Sequence, residues 1–200
     1  MDETVKKAIA KWPDVPHCYG WLALDARGNW RMRDERAQAS HLPGDKIVNA
    51  ALLGFINRNY THDEQGCWYF QNGPQRVYVN LEATPYIARS DPAQGFILHT
   101  GEPMPIVAGA WMTEMGRLVL QNDEKVALVD DRDMAQYLAD LRINGEIVSD
   151  ERLIEWLSQA QDAGALSLLQ VSRRVPVQHL AEDALATHFG FVQVPQPDDA

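Results

Sequence analysis

The chain is poor in everything that announces a reaction. It has 200 residues and only two cysteines, Cys18 and Cys67. Two thiols so far apart make neither a disulfide framework nor a zinc set, and a reduced, cytoplasmic protein is expected. No apolar run approaches the roughly 20 residues of a membrane helix. Met1 to Ala10 carries lysines without an apolar core, so no secretory peptide is expected. Positive charge is scarce: 18 Lys and Arg face 28 Asp and Glu, a net charge of −10. A field of that sign repels a phosphate backbone and excludes general nucleic-acid binding, yet a few local arginines could still hold a small anion. There is no Walker pattern, no Gly-x-Gly-x-x-Gly and no Gly-x-Ser-x-Gly elbow. His17-Cys18 and His62-x4-Cys67 lack a third ligand at useful spacing, so no metal and no cofactor is expected.

What is present is a pattern of short strands and short helices. Val5, Ile9 and Trp12 share a face in a first helix that Pro13 and Pro16 stop. Gly20 to Asp25, with Trp21 and Ala23 facing one way, pairs with Trp30 to Arg33 as a hairpin. Arg33 to Gly44 is polar and turn-rich. Lys46 to Tyr60 carries the clearest helical stripe, with Asp45 as N-cap and Asn59 suited to a left-handed C-cap. Strands follow at Trp68–Gln71, Gln75–Leu81, Tyr86–Arg89, Phe96–His99, Ile106–Thr113, Arg117–Gln121 and Ala127–Val129. Helical periodicity returns at Asp133–Leu141, Asp150–Gln161 and Ala181–Phe189. Leu166–Ser172 and Val175–Gln178 read as short strands, and Pro195–Ala200 as a frayed acidic tail. The fold class is α+β, with antiparallel hairpins and a meander around a packed helix and extra C-terminal helices. The best division is a hairpin-helix-hairpin half over residues 1–84 and a meander half over 85–200, which a single compact unit would also satisfy.

One motif is written twice, Asp25-x-x-Gly28-x-Trp30 and Asp63-x-x-Gly66-x-Trp68. Asp opens a turn, Gly supplies positive φ, and Trp starts a buried strand. After the second copy, period two puts Trp68 and Phe70 on one face and Tyr69, Gln71, Arg76, Tyr78 and Asn80 on the other. Two aromatics, amides and an arginine can stack on a ring and bind an anion or heterocycle. A solvent-facing strand surface would use the same residue types.

Gly20-x-Leu22-x-Leu24-Asp25-x-x-Gly28-x-Trp30, the Ile47–Tyr60 helix, Asp63-x-x-Gly66-x-Trp68-Tyr69-Phe70 and Gln75-Arg76-Val77-Tyr78-Val79-x-Leu81-Glu82-x-x-Pro85 together resemble an uncharacterised proteobacterial domain-of-unknown-function family. They are distantly similar to another such family with a hairpin, a helix, a D-x-x-G-x-Y strand and V-E-D-x-P-F. The resemblance covers the first half well and the meander poorly. It implies a two-part fold with a duplicated core, a second part loosely like a pleckstrin-homology barrel, a small-ligand site for a nucleotide-like molecule between the parts, and a signalling role. This chain departs from the relative at Gln71-Asn72-Gly73-Pro74-Gln75-Arg76 and in its additional C-terminal helices.

The leading expectation is a non-enzymatic, ligand-binding or regulatory protein. Arg76 would hold the anion, Tyr69 and Tyr78 would stack, Gln71 and Gln75 would orient, and Arg58 and Trp111 would be neighbours. Two alternatives stand beside it. One is an enzyme using His62 or His99 as a base with Asp63, and the other is a protein-interaction module using the meander edge or the C-terminal helices.

Overall fold

A computed structural model describes residues 1–123, 125–159, 163–170 and 173–197. The chain divides into two compact units, Met1–Pro85 with Phe189–Ala200, and Tyr86–His188.

The first unit contains, in chain order, α1 (Glu3–Lys11), β1 (Cys18–Leu24), β2 (Trp30–Met32), α2 (Glu35–Ala39), β3 (Asp45–Lys46), α3 (Ala50–Arg58), β4 (Tyr60–His62), β5 (Trp68–Asn72) and β6 (Gln75–Leu81). Its six strands lie in the order β3-β2-β1-β6-β5-β4. Only β1 and β6 run parallel; the other pairs are antiparallel. Leu22, Leu24, Trp30, Phe70, Val79 and Leu81 are buried together with Ile56 of α3, whose neighbour Phe55 packs edge-on against Phe70.

Several local expectations change. Leu22 and Leu24 take the core side of β1, so Trp21 is 41% exposed. Asp45 is not a helix cap. It pairs with Met32 as the start of an edge strand, and Asn49 caps α3 by accepting the Leu52 N–H. The helix therefore starts later, and Val48 lies outside it, 79% exposed. Asn59 ends α3 at φ −116°, not in the left-handed region. Its side chain accepts the Asp2 N–H and donates to the Phe55 carbonyl. Asp34 caps α2, an unexpected helix within Arg33–Gly44, by accepting the Ala37 N–H. Trp12 is half exposed rather than sharing a buried face with Val5.

The second unit contains β7 (Tyr86–Asp91), β8 (Gly95–Leu98), β9 (Pro103–Met104), β10 (Gly109–Met112), β11 (Leu118–Asn122), β12 (Lys125–Val129), α4 (Met134–Asp140), β13 (Leu141–Ile143), β14 (Glu146–Ile147), α5 (Asp150–Leu157), β15 (Leu166–Gln170) and β16 (Arg173–His179), and α6 (Leu185–Phe189) closes it. Its sheet runs β14-β13-β15-β16-β10-β11-β12-β7-β8-β9. Helix α4 buries Tyr137 while Met134 faces out, and α5 buries Trp156 while Ile154 faces out. Met115 sits on a turn and is 72% exposed. The expected ends of the Asp150–Gln161 helix, the Leu166–Ser172 strand and the acidic tail extend beyond the described residues.

Within this larger sheet lies the plan of the first. The run β12-β11-β10-β16-β15-β13 repeats β3-β2-β1-β6-β5-β4, again with one parallel pair, β10 and β16. A helix, α3 or α4, follows the third strand of each set. The core is duplicated, and the repeat spans whole units rather than the two hairpins of the first.

The turns carry the same signature. Asp25 donates its N–H to the Asn29 carbonyl and accepts the Asn29 N–H on Oδ1. Asp63 does this with Cys67, Thr113 with Arg117, and Asn144 with Ala165. Gly28, Gly66, Gly116 and Gly164 each hold positive φ before the closing residue. In the last turn β14 and α5 are inserted between Asn144 and Gly164.

Candidate functional site

The register of β5 and β6 sets Tyr69 opposite Tyr78 and Gln71 opposite Arg76. Tyr69, Tyr78 and Arg76 then line a cavity of about 630 Å³ in the first unit. His17 and Tyr19, from β1 and the segment before it, line it too, as do Asp63 and Cys67 of the second turn and Gln196 of the C-terminal segment.

The Arg76 guanidinium lies over the Tyr69 ring, 4.7 Å from its centroid. Its Nη1 donates to the Tyr78 hydroxyl at 3.4 Å. That hydroxyl donates in turn to Asp63 Oδ2 at 3.0 Å. Asp63 thus uses Oδ1 for its turn and Oδ2 for the cavity. In the first turn the corresponding oxygen of Asp25 takes the Arg31 Nε at 2.8 Å. Arg31 is therefore paired with a carboxylate, whereas Arg76 makes no ion pair among the described residues. A guanidinium presents five donors in one plane, so most of the Arg76 donors remain for a ligand.

Tyr19 stacks flat on Tyr78, with centroids 4.6 Å apart and planes 9° from parallel. Tyr69 and His17 meet the Tyr78 ring edge-on. One face of the Tyr78 ring is thus covered by Tyr19. Burial pushes the Tyr78 hydroxyl up to about 12; Arg76 opposes that rise and Asp63 adds to it. Burial, then the Arg76 charge, lowers the His17 imidazole. The hydrogen bond to Tyr78 raises Arg76 further above its ordinary value, against the effect of burial. A phenol held neutral and a permanently charged guanidinium are groups for binding rather than for proton transfer near pH 7.

The other expected site residues lie elsewhere. Gln71 is buried and donates to the Gly73 carbonyl, closing its own hairpin. Gln75 donates to the Pro16 carbonyl and fastens the segment leading into β1. Arg58 pairs with Asp2 at 3.4 Å at the end of α3. Trp111 belongs to β10 of the second unit, where its ring meets His188 edge-on. The His62 Nδ1 lies 2.9 Å from the Asp63 backbone oxygen rather than on its carboxylate. His99 is in the second unit, and its Nδ1 faces the Ile87 N–H. Tyr19, His17 and Gln196 were not expected in the ligand site from the sequence, and Asp63 was expected only as the partner of a candidate base. Period two from the core residues Leu22 and Leu24 puts Tyr19 on the opposite face, but the register shift of β1 between Cys18 and Leu22 hides which β6 residue it meets.

Among the described residues no three His, Cys, Asp or Glu side chains gather as a metal set. No helix is long and apolar enough to cross a membrane.

The family model DUF2944, described as Protein of unknown function (DUF2946), matches residues 1–196. The chain belongs to this family. A search of curated proteins gave no match. Among solved structures, a DUF1285 family protein from Silicibacter pomeroyi DSS-3 is similar over 89% of this chain and 96% of that one, with a TM-score of 0.50 at 11% identity. That likeness concerns the fold alone, and it agrees with the α+β architecture.

Proposed function

We propose that the first unit is a cytoplasmic ligand-binding module that takes a small anion bearing a planar ring, in a regulatory rather than catalytic role. The observation that carries this is Arg76: a guanidinium in a cavity of tyrosines, seated on the Tyr69 ring, with no carboxylate partner among the described residues. Arginine in such a setting suits a carboxylate or phosphate, whose two oxygens match its fork. Tyr69 holds the fork from behind through a cation–π contact, and the Tyr78 hydroxyl, anchored on Asp63, steers its Nη1. Binding without a poised acid or base is the chemistry of a sensor, since occupancy alone changes the stability of the unit that holds the ligand.

The reading is tested by thermal shift over a panel of nucleotides and small aromatic acids, with Arg76→Ala and Arg58→Ala as the paired variants. Hydrogen bonds to a charged group are worth about 1.5–3 kcal/mol each, so Arg76→Ala should weaken binding by about tenfold to a hundredfold. Arg58→Ala should leave it unchanged. Ligand stabilisation that survives Arg76→Ala would refute the assignment.

A further inference from the structure

The first turn closes its ion pair, and the second leaves one open. Asp25 Oδ2 takes the Arg31 Nε directly, at 2.8 Å. At the second turn the Tyr78 hydroxyl stands between the two charges, accepting from Arg76 Nη1 at 3.4 Å and donating to Asp63 Oδ2 at 3.0 Å. Arg76 and Asp63 therefore line one cavity without pairing. Glu64 adds a second carboxylate to the same wall. It is exposed and makes no hydrogen bond or ion pair among the described residues. Resting on the reading of Arg76 as an anion site, we infer that the ligand is a free aromatic α-amino acid, with its carboxylate on Arg76 and its ammonium on the Asp63-Glu64 wall.

The charges of the cavity select such a zwitterion. A ligand with negative charge alone would meet Arg76 but would also face two carboxylates, and like charges brought together oppose binding. A ligand with positive charge alone would meet Arg76 as a like charge in turn. An α-amino acid carries both signs on one carbon. It can bridge the gap between Arg76 and Asp63, which at present only two end-to-end hydrogen bonds through a phenol span.

The groups needed are also available. Asp63 Oδ1 is spent on the Gln65 and Cys67 N–H groups of the turn. Its Oδ2 takes the Tyr78 hydroxyl alone among the described residues. A carboxylate oxygen has two lone pairs, so Oδ2 can accept one N–H of an ammonium, and Glu64 can accept another. The Tyr78 hydroxyl fixes Asp63 and Arg76 relative to each other before the ligand arrives, which lowers the entropic cost of ordering them. At about 630 Å³ the cavity has room for the side chain as well.

The test is calorimetric titration with three probes that share a phenyl ring and differ only in charge. They are phenylalanine, 3-phenylpropanoate, which lacks the amine, and phenethylamine, which lacks the carboxylate. Phenylalanine should bind at least about tenfold more tightly than either, the worth of one hydrogen bond to a charged group. Glu64→Gln should shrink the preference over 3-phenylpropanoate by about twofold to fivefold, the worth of an exposed ion pair. It should leave 3-phenylpropanoate bound at the native level or more tightly. Asp63→Asn keeps an acceptor for the turn, removes the charge and should shrink the preference further. If that variant does not fold, Glu64→Gln and the native protein decide. Arg76→Ala should weaken phenylalanine and 3-phenylpropanoate together and spare phenethylamine. Equal affinity of the native protein for phenylalanine and 3-phenylpropanoate, or a preference unchanged in Glu64→Gln, overturns the ammonium site and leaves the anion site standing. Native binding of 3-phenylpropanoate in Arg76→Ala, phenethylamine binding as tightly as phenylalanine, or no binding by any probe overturns the anion site, and this inference with it.

Discussion

The two units use one strand plan for different ends. Matching them through their registers sets Tyr69 against Ser167, Tyr78 against Pro176, Arg76 against Arg174 and Asp63 against Asn144. Only the arginine is kept. In the first unit it sits on a tyrosine ring inside a cavity. In the second, the aromatic partners are lost, and the guanidinium lies 3.1 Å from where a Cβ on Gly145 would stand. Gly145 opens the inserted stretch with β14 and α5. The same backbone positions are thus presented twice, with different side chains around the arginine. A strand frame carries no function of its own; the residues grafted on one face do.

The turns give the sharpest way to break this comparison. Gly66 has φ +81°, and a Cβ there would stand 2.2 Å from the Gly190 carbonyl oxygen, in the C-terminal segment that walls the cavity. Gly116, in the turn of the second unit that matches that of Gly28, has φ +74° but meets nothing nearer than Leu157 at 3.8 Å. A non-glycine residue at positive φ costs about 1–3 kcal/mol. Gly66→Ala should fall at or beyond the upper end of that range in urea unfolding and weaken ligand binding, and Gly116→Ala should fall at the lower end. Equal costs would mean that the C-terminal segment is not seated against the turn.

Alkaline titration separates the units more gently. Burial pushes both Tyr78 and Tyr137 up to about 12, one phenol in each unit. Both are raised above the ordinary value near 10, so the folded state holds the protons more tightly than the unfolded chain. That stability is fully present below about pH 10 and is lost as pH rises toward 12. Tyr78→Phe and Tyr137→Phe should each flatten part of the fall in melting temperature over that window. A fall unchanged by either substitution would place its cause elsewhere.

The class of fold and most strands were legible because turn residues and period-two patterns are local. Asp25, Gly28, Asp63 and Gly66 announce their turns by chemistry alone. Asn144 and Gly164 do the same job, but an insertion separates them, so no turn motif marks the last repeat and the duplicated core was expected from the family resemblance alone. Which strand faces were buried was harder. Trp21 is the larger apolar group, yet Leu22 and Leu24 take the core of β1, where they pair with the buried Val79 and Leu81 of the distant β6. The candidate site was half legible for the same reason. Arg76, Tyr69 and Tyr78 share a hairpin whose register a tight turn sets. Tyr19, His17 and Gln196 reach the cavity through pairings with residues far away in sequence, which no local pattern records. Gln71 and Gln75 share that hairpin too, but they spend their amides on the Gly73 and Pro16 carbonyls.

The central claim is that Arg76 binds an anion and its structural counterpart Arg174 does not. Titration of phenylalanine into Arg76→Ala and Arg174→Ala measures this directly. The account predicts that binding falls by about tenfold or more in the first variant and stays at the native level in the second. Native affinity in Arg76→Ala, or an equal loss in both, would contradict it.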